Sequence, residues 1–419
     1  MSMKTAQHLA NELPAPPDGD VAAETVFIDK LTMTDFRSYQ YTTLDLTCEH
    51  PFVVLTGENG AGKTNVLEAV SYAAPGRGLR GATLKDVGRK GGGNWAVSML
   101  LNLTSPNNAE TVKVGTGQDP NLTSTPADNS ATPEKNIFRR IAKIDGEMVG
   151  NTSALGDRWA ISWLTPQMDR LFIEGPSSRR RFLDRLTLGL YPDHSRQISA
   201  FERTMRDRNR LLSEQGTNAD SVWLSALEAR MAEHGVAVAI ARLEFAGQLA
   251  GQIESTPEGP FPKATLALDG WLEEQLAEGT PPVEVEAAYR ERLAHERALD
   301  ARSGRTTTGV HKTDFIVTHA PKAMPADLCS TGEQKALLIC LVLASARLQI
   351  ALKGQAPLLL LDEVAAHLDS DRRRALFNDL ASLGSQCWMT GTDRSLFSDL
   401  MGKAEFFQVA DGVIQPCAV

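Results

Sequence analysis

The sequence has no apolar stretch long enough to suggest a membrane span: its longest run, Ala336 to Ala344, falls far short of a bilayer's thickness. It also lacks a basic start followed by an apolar segment and a cleavage site, so nothing signals export, and a cytoplasmic protein with no membrane partner is expected. Cysteine is scarce. The five cysteines, at 48, 329, 340, 387 and 417, are odd in number, widely spaced and without a Cys-x-x-Cys pair, which argues against a disulfide framework and against a thiolate zinc site. There is no excess of positive charge either. A net charge of -9 counts mildly against a nucleic-acid partner, because binding phosphates needs cations facing them. Neither an internal repeat nor a sustained heptad is found.

What is present is a globular chain of 419 residues, 42% of them hydrophobic, enough for a sizeable core in two or three domains or lobes. Its basic residues are clustered: Arg77, Arg80, Lys85, Arg89 and Lys90; Arg179, Arg180, Arg181 and Arg185; Arg203, Arg206, Arg208 and Arg210. Each cluster reads either as a solvated face or as a phosphate-binding patch. Residues 1–25, with Pro14, Pro16 and Pro17 and no apolar periodicity, suit a disordered extension. Alternation over Val26 to Met33 and Thr43 to Leu46 predicts an antiparallel pair leading to a buried strand, Phe52 to Leu55. Further strand signals lie at Trp95 to Leu103, Thr111 to Val114 and Ile141 to Val149, with an Asp145-Gly146 turn and a mobile loop expected at about 117–136.

From about 178 the period becomes helical. Ile198, Phe201, Met205 and Leu212 form one stripe, Trp223, Leu227, Met231, Val238, Leu249 and Ile253 another, and two antiparallel helices are expected to bury them against each other. A Pro/Gly-rich stretch at 256–262 ends this unit, another helical piece spans about 281–302, and an apolar helix follows Gly332.

Three motifs carry chemistry. Gly57-Glu58-Asn59-Gly60-Ala61-Gly62-Lys63-Thr64 fits a P-loop and sits after a buried strand and before a helical run. Glycines let backbone N–H groups face a β-phosphate; Lys63 neutralises β/γ charge, Thr64 holds Mg²⁺, and the helix start adds its dipole. Leu358-Leu359-Leu360-Leu361-Asp362-Glu363 is an apolar strand delivering two acids at its carboxyl edge. Asp362 is the candidate Mg²⁺ ligand and Glu363 the candidate general base, and the competing reading makes them caps of the next helix. Ser330-Thr331-Gly332-Glu333-Gln334-Lys335 is, locally, a capping box. Its place, about 30 residues before Asp362, makes it similar to the ABC signature, with Ser330 and Gly332 matching and Cys329 where Leu is usual.

Ala366-His367-Leu368-Asp369 resembles a D-loop, although Asp369 also suits a helix cap. Thr392 stands where many ABC ATPases carry a switch histidine, and Gln167 is a candidate Q-loop residue. About 270 residues separate the P-loop from Ser330, against about 100 in transport subunits and far more in SMC proteins, so a short helical insertion is expected. Asp35-Phe36-Arg37-Ser38-Tyr39, the run Lys63 to Ala69, the block Gly175 to Asp184 and Gly309 to Asp314, with Val310 for Pro and Lys312 for Arg, are all similar to motifs of the RecF family of SMC-like ABC-type ATPases.

That resemblance, running from about 27 to 415, implies an α/β ABC-type head with a mixed sheet and a helical lobe inserted between P-loop and signature: 26–177 and 306–419 as the ATPase lobe, 178–305 as the helical lobe. It implies a slow, DNA-stimulated ATPase with ATP and Mg²⁺ as cofactors and Arg37 at the nucleotide phosphates. The implied protein is an ATP-dependent homodimer that recognises gapped or junction DNA, single-stranded or duplex, and works with RecR and RecO to load RecA. An ABC transport subunit, a structural SMC-like tether and a small-molecule P-loop kinase remain as alternatives, the last leaving the signature and D-loop unexplained.

Overall fold

The computed structural model describes residues 23–105, 108–120, 139–216 and 219–417, so most of the expected extension 1–25 and most of the expected 117–136 loop lie outside the described residues, while Thr25 already belongs to a strand. The chain divides into two compact units. One comprises 167–348; the other runs from the start of the described chain to 166 and resumes at 349. These boundaries differ from those expected at 178 and 305, and Ser330 falls in the first unit.

The unit that begins the chain holds two six-stranded sheets. Strand β1 (Thr25–Phe36) pairs antiparallel with β2 (Tyr39–Asp45), Phe36 opposite Tyr39, as the alternation predicts. Then come β3 (Phe52–Thr56), buried throughout, and helix α1 (Lys63–Ser71). Strands β4 (Ala96–Ser105), β5 (Asn108–Gln118), β6 (Arg140–Ile144) and β7 (Glu147–Met148) complete an antiparallel sheet of order β2-β1-β4-β5-β6-β7. Asp145 and Gly146 both take positive φ, the backbone a two-residue hairpin turn demands. Strand β8 (Ile161–Leu164) closes this half.

The unit formed by 167–348 is mainly helical: α2 (Pro176–Leu190), α3 (His194–Gln215), α4 (Ser221–Ser255), α5 (Trp271–Ala277), α6 (Pro282–His295) and α7 (Arg297–Ser303). Its core joins Phe201 of α3 to Met231, Val236 and Val238 of α4 and to Tyr289 and Leu293 of α6. Gly235 is where α4 passes closest, since a Cβ there would sit 3.2 Å from Tyr289 and 3.3 Å from Phe201. Trp223, expected on the buried stripe, is 51% exposed; it stands in the first turn of α4, beside a small satellite core of Leu211, Leu212, Leu224 and Leu227. The sequence pattern also misses a three-stranded antiparallel sheet, β9 (Ala264–Asp269), β10 (Asp314–His319) and β11 (Met324–Pro325).

Helix α8 (Thr331–Lys353) carries the longest apolar run and is by length and composition able to cross a membrane, yet the window is 72% buried within the protein, as in a core helix. The chain then returns with β12 (Leu358–Leu361), α9 (Ser370–Ser382), β13 (Cys387–Gly391), β14 (Ala404–Ala410) and β15 (Val413–Pro416). These complete the second sheet, order β15-β14-β3-β13-β12-β8, parallel except for the β14–β15 pair. Such strands bury both faces, which is why Phe52–Thr56 and Leu358–Leu361 read as unbroken apolar runs. Buried Gln386 ties the two sheets together, accepting the backbone N–H of Ile28 at 2.9 Å and donating to its carbonyl at 3.2 Å.

Candidate active site

The loop between β3 and α1 follows from its glycines. At Gly57 (φ +151°) a Cβ would lie 2.2 Å from the carbonyl oxygen of Val409, and at Gly62 (φ +112°) 2.8 Å from the Tyr39 hydroxyl, so no side chain fits at either. The Tyr39 hydroxyl donates to the carbonyl of Gly62 at 3.1 Å, and burial raises its pKa. Gly62 caps α1 without any side-chain bond, and the helix carries no acid of its own in the first turn, so its positive end is open to negative charge from elsewhere. Glu58, Asn59 and Gly60 form the exposed rim, with Ala61 half-buried.

Lys63 is buried, and its ammonium donates to the carbonyls of Gly57 and Glu58, 2.8 Å each. Burial lowers its pKa, against the opposing pull of Glu363 and Asp362. The Thr64 hydroxyl lies 3.0 Å from both carboxylate oxygens of Asp362, the residue that follows β12. Glu363 follows in the left-handed region at φ 50°, and its backbone N–H donates to the Thr390 hydroxyl at 2.9 Å. The structure therefore brings together Lys63, Thr64, Asp362 and Glu363, and adds Thr390, for which the sequence offers no motif. Its only signal is its place at the end of the strand between β3 and β12.

Arg37 is placed differently from expectation. In the turn between β1 and β2 at φ 54°, its guanidinium grips both oxygens of Glu68 on α1 (Nε 2.8 Å, Nη2 2.5 Å) and also donates to the carbonyl of Asp86. Arg80 holds the same carboxylate at 3.0 Å, and Glu68 is fully buried. Asp369 caps α9, accepting the N–H of Arg372 at 2.8 Å. Thr392 is exposed, and Gln167 lies exposed in the turn after β8.

Ser330 and Gly332 belong to the other unit. The backbone N–H and hydroxyl of Ser330 both donate to Glu333, at 3.0 and 2.9 Å, and Lys322 donates to the second oxygen of that carboxylate. Lys322 and these Ser330 bonds pull the Glu333 carboxyl down to about 2. A Cβ on Gly332 would meet nothing within 4 Å, so the tip is open.

The blocks 175–184 and 309–314 interlock within the same unit. Arg179 clasps Asp314 with two bonds of 2.7 Å, Arg180 donates to the carbonyl of Thr313 at 2.7 Å, and Arg242 joins Asp184 to the carbonyl of Val310. Arg208 is fully buried, bonded to Glu228, Asp300, Thr306 and the carbonyl of Leu293. The second and third basic clusters are thus partly internal ion pairs, whereas Arg77, Arg80, Lys85 and Lys90 are exposed.

A P-loop strand, an acid strand two places away and a signature-type helix start in a chain of this size recur in known proteins. The family model described as RecF/RecN/SMC N terminal domain matches residues 27–415. A protein of Rhizobium rhizogenes described as DNA replication and repair protein RecF is 48% identical over 390 residues, covering 93% of this chain and 98% of its own. The chain belongs to the RecF family. A Mesorhizobium japonicum protein with the same description is 46% identical over 93% of this chain and 97% of its own. Among solved structures, that of the recombination mediator protein RecF-ATPrS in the RecFOR pathway superposes with a TM-score of 0.78 at 20% identity, over 95% of this chain and all of that one. An Smc head domain from Pyrococcus furiosus gives 0.50 at 14% identity, over 94% and 96%. The fold is the α/β RecF head, related to SMC heads, that the motifs imply.

Proposed function

We propose that the chain is an ATP-dependent DNA-binding protein of recombinational repair and replication-gap processing, an ATP-driven homodimer that recognises gapped or junction DNA and helps RecR and RecO load RecA in the cytoplasm. The observation that carries the ATPase reading is the contact between Thr64 and Asp362, 298 positions apart, beside the glycine loop and Lys63. The description of the relatives as replication and repair proteins supports the DNA part, and offers nothing to a transport subunit.

The donor set suits Mg²⁺. One carboxylate and one hydroxyl beside ligand phosphates is a usual way to hold that ion, and no cluster of three or more His, Cys, Asp or Glu forms a metal cage among the described residues. Thr64 and Asp362 would hold it, and when bound it supplies charge neutralisation to the phosphates. The N–H groups of Gly57 to Gly62 cradle the β-phosphate, Lys63 neutralises the β/γ charge, and Glu363 polarises the attacking water. Ser330 and Gly332 of one subunit close on the triphosphate held by the other, with Asp369 at the seam. Hydrolysis is slow and DNA-stimulated, a switch in which binding closes the dimer and turnover opens it.

Sedimentation of the purified chain with and without ATP and gapped duplex tests this. A dimer that needs ATP and travels with the DNA is the expected result; a monomer under every condition refutes it.

A further inference from the structure

Thr390 belongs to neither acid nor loop, yet it is bonded to both acids. It lies on β13, which pairs in parallel with β3 on one side and β12 on the other, so its side chain reaches the edge where both motifs end. The residue is fully buried. Its hydroxyl accepts the backbone N–H of Glu363 at 2.9 Å and stands 2.6 Å from Oδ1 of Asp362. A hydroxyl has a single proton, and the amide can only donate, so the proton must point at Asp362. The direction of the whole relay is thereby fixed.

Two consequences follow. One oxygen of the Asp362 carboxylate is pinned by Thr390, which sets the plane of the group and the aim of Oδ2, where Thr64 also reaches. At Glu363 a non-glycine backbone at φ 50° is unfavourable by about 1 kcal/mol or more, and the bond from its N–H to Thr390 holds it there. One hydroxyl therefore orients two neighbouring acids.

We infer that Thr390 is a positioning residue of the acid pair, setting Asp362 toward the cation and phosphates and Glu363 toward the attacking water. The inference rests on the proposed reading of Asp362 and Glu363 as the acids of an ATPase. The role assigned to Thr390 needs no contact of its own with nucleotide or ion; it acts through Asp362 and Glu363, to which it is bonded.

The test compares Thr390→Val, Thr390→Ser and Asp362→Asn in the full chain. ATP turnover is measured at steady state, and binding of a fluorescent ATP analogue is titrated with Mg²⁺. Losing a bond to a charged group predicts that Thr390→Val lowers kcat about tenfold or more, leaves KM within about threefold and moves the Mg²⁺ midpoint several-fold upward. Thr390→Ser restores both to within about threefold, because it keeps the hydroxyl and loses only the methyl. Wild-type kcat and Mg²⁺ midpoint in Thr390→Val overturn the inference, and so does a Thr390→Ser as impaired as Thr390→Val, which assigns the position to packing. Should the valine chain not fold, Thr390→Cys, a weak donor of similar size, replaces it with the same expected outcome. Asp362→Asn separates the two readings: full turnover there refutes the ATPase assignment itself, whereas lost turnover beside a wild-type Thr390→Val refutes only the role of Thr390.

Discussion

The ammonium of Lys63 donates to the carbonyl of Gly57, 2.8 Å away, within the loop it is expected to serve. With its second bond to Glu58 this satisfies a buried cation by backbone oxygens, and burial still lowers its pKa. Triphosphate oxygens offer such a cation formal negative charge in place of carbonyl dipoles. Lys63→Met is therefore expected to leave the melting temperature unchanged or raised while nucleotide affinity falls at least about a hundredfold. Calorimetric titration and thermal unfolding of the same sample decide it; retained affinity removes Lys63 from the phosphate site.

Arg37 and Glu68 make a second prediction, since the guanidinium clasps a fully buried carboxylate on α1. Arg37→Ala leaves Arg80 as the remaining arginine bonded to Glu68, and a cost of about 3 kcal/mol in urea unfolding is expected. A variant that keeps its stability but loses ATP affinity tenfold would return Arg37 to the nucleotide phosphates.

Ser330 gives both its donors to Glu333 in the free protein. Ser330→Ala should cost about 1 kcal/mol as a weakened cap, spare ATP binding by the P-loop, and prevent ATP-driven dimerisation. Equal dimerisation of the variant and the parent, read by light scattering with ATP, refutes the signature assignment.

His311 supplies a pH dependence. Burial pushes its pKa down to about 4, with Lys312 and Arg180 adding to the fall and the bond to the carbonyl of Thr306 opposing it. The unfolded chain takes up this proton near pH 6.5 and the folded one near 4, so the stability from neutral His311 is complete above 6.5 and lost as pH falls toward 4. The loss amounts to roughly 2–3 kcal/mol. His311→Gln, which keeps a donor and cannot titrate, is expected to flatten that part of the urea-midpoint profile; an unchanged profile between pH 7 and 4 sinks the assignment.

Much of the site is legible locally. A glycine loop after an apolar strand and two acids after another announce themselves, because parallel strands bury both faces and deliver their ends to one edge. Partners far away in sequence leave no such trace. Arg179 reads as surface charge until Asp314, 135 positions on, appears beside it, and Arg208 until Glu228 and Asp300 enclose it. Strand β9 alternates over only six residues and pairs with a strand on the far side of three helices, so its pattern is masked by the turns around it. Thr390 has no motif at all; its bonds exist only once β13 lies between its neighbours.

The strand order also fixes a timetable for biosynthesis. Strand β3 ends at Thr56, but its sheet neighbours begin at Cys387 and Ala404, so at about 5–20 residues per second a ribosome leaves both of its edges bare for tens of seconds. The contiguous segment 167–348 can mature in that interval, whereas the phosphate cradle waits for β13 and β14 to emerge. Nascent chains stalled before residue 387 should consequently occupy holdase chaperones through this stretch, and premature stop codons there leave a protein without a finished nucleotide pocket.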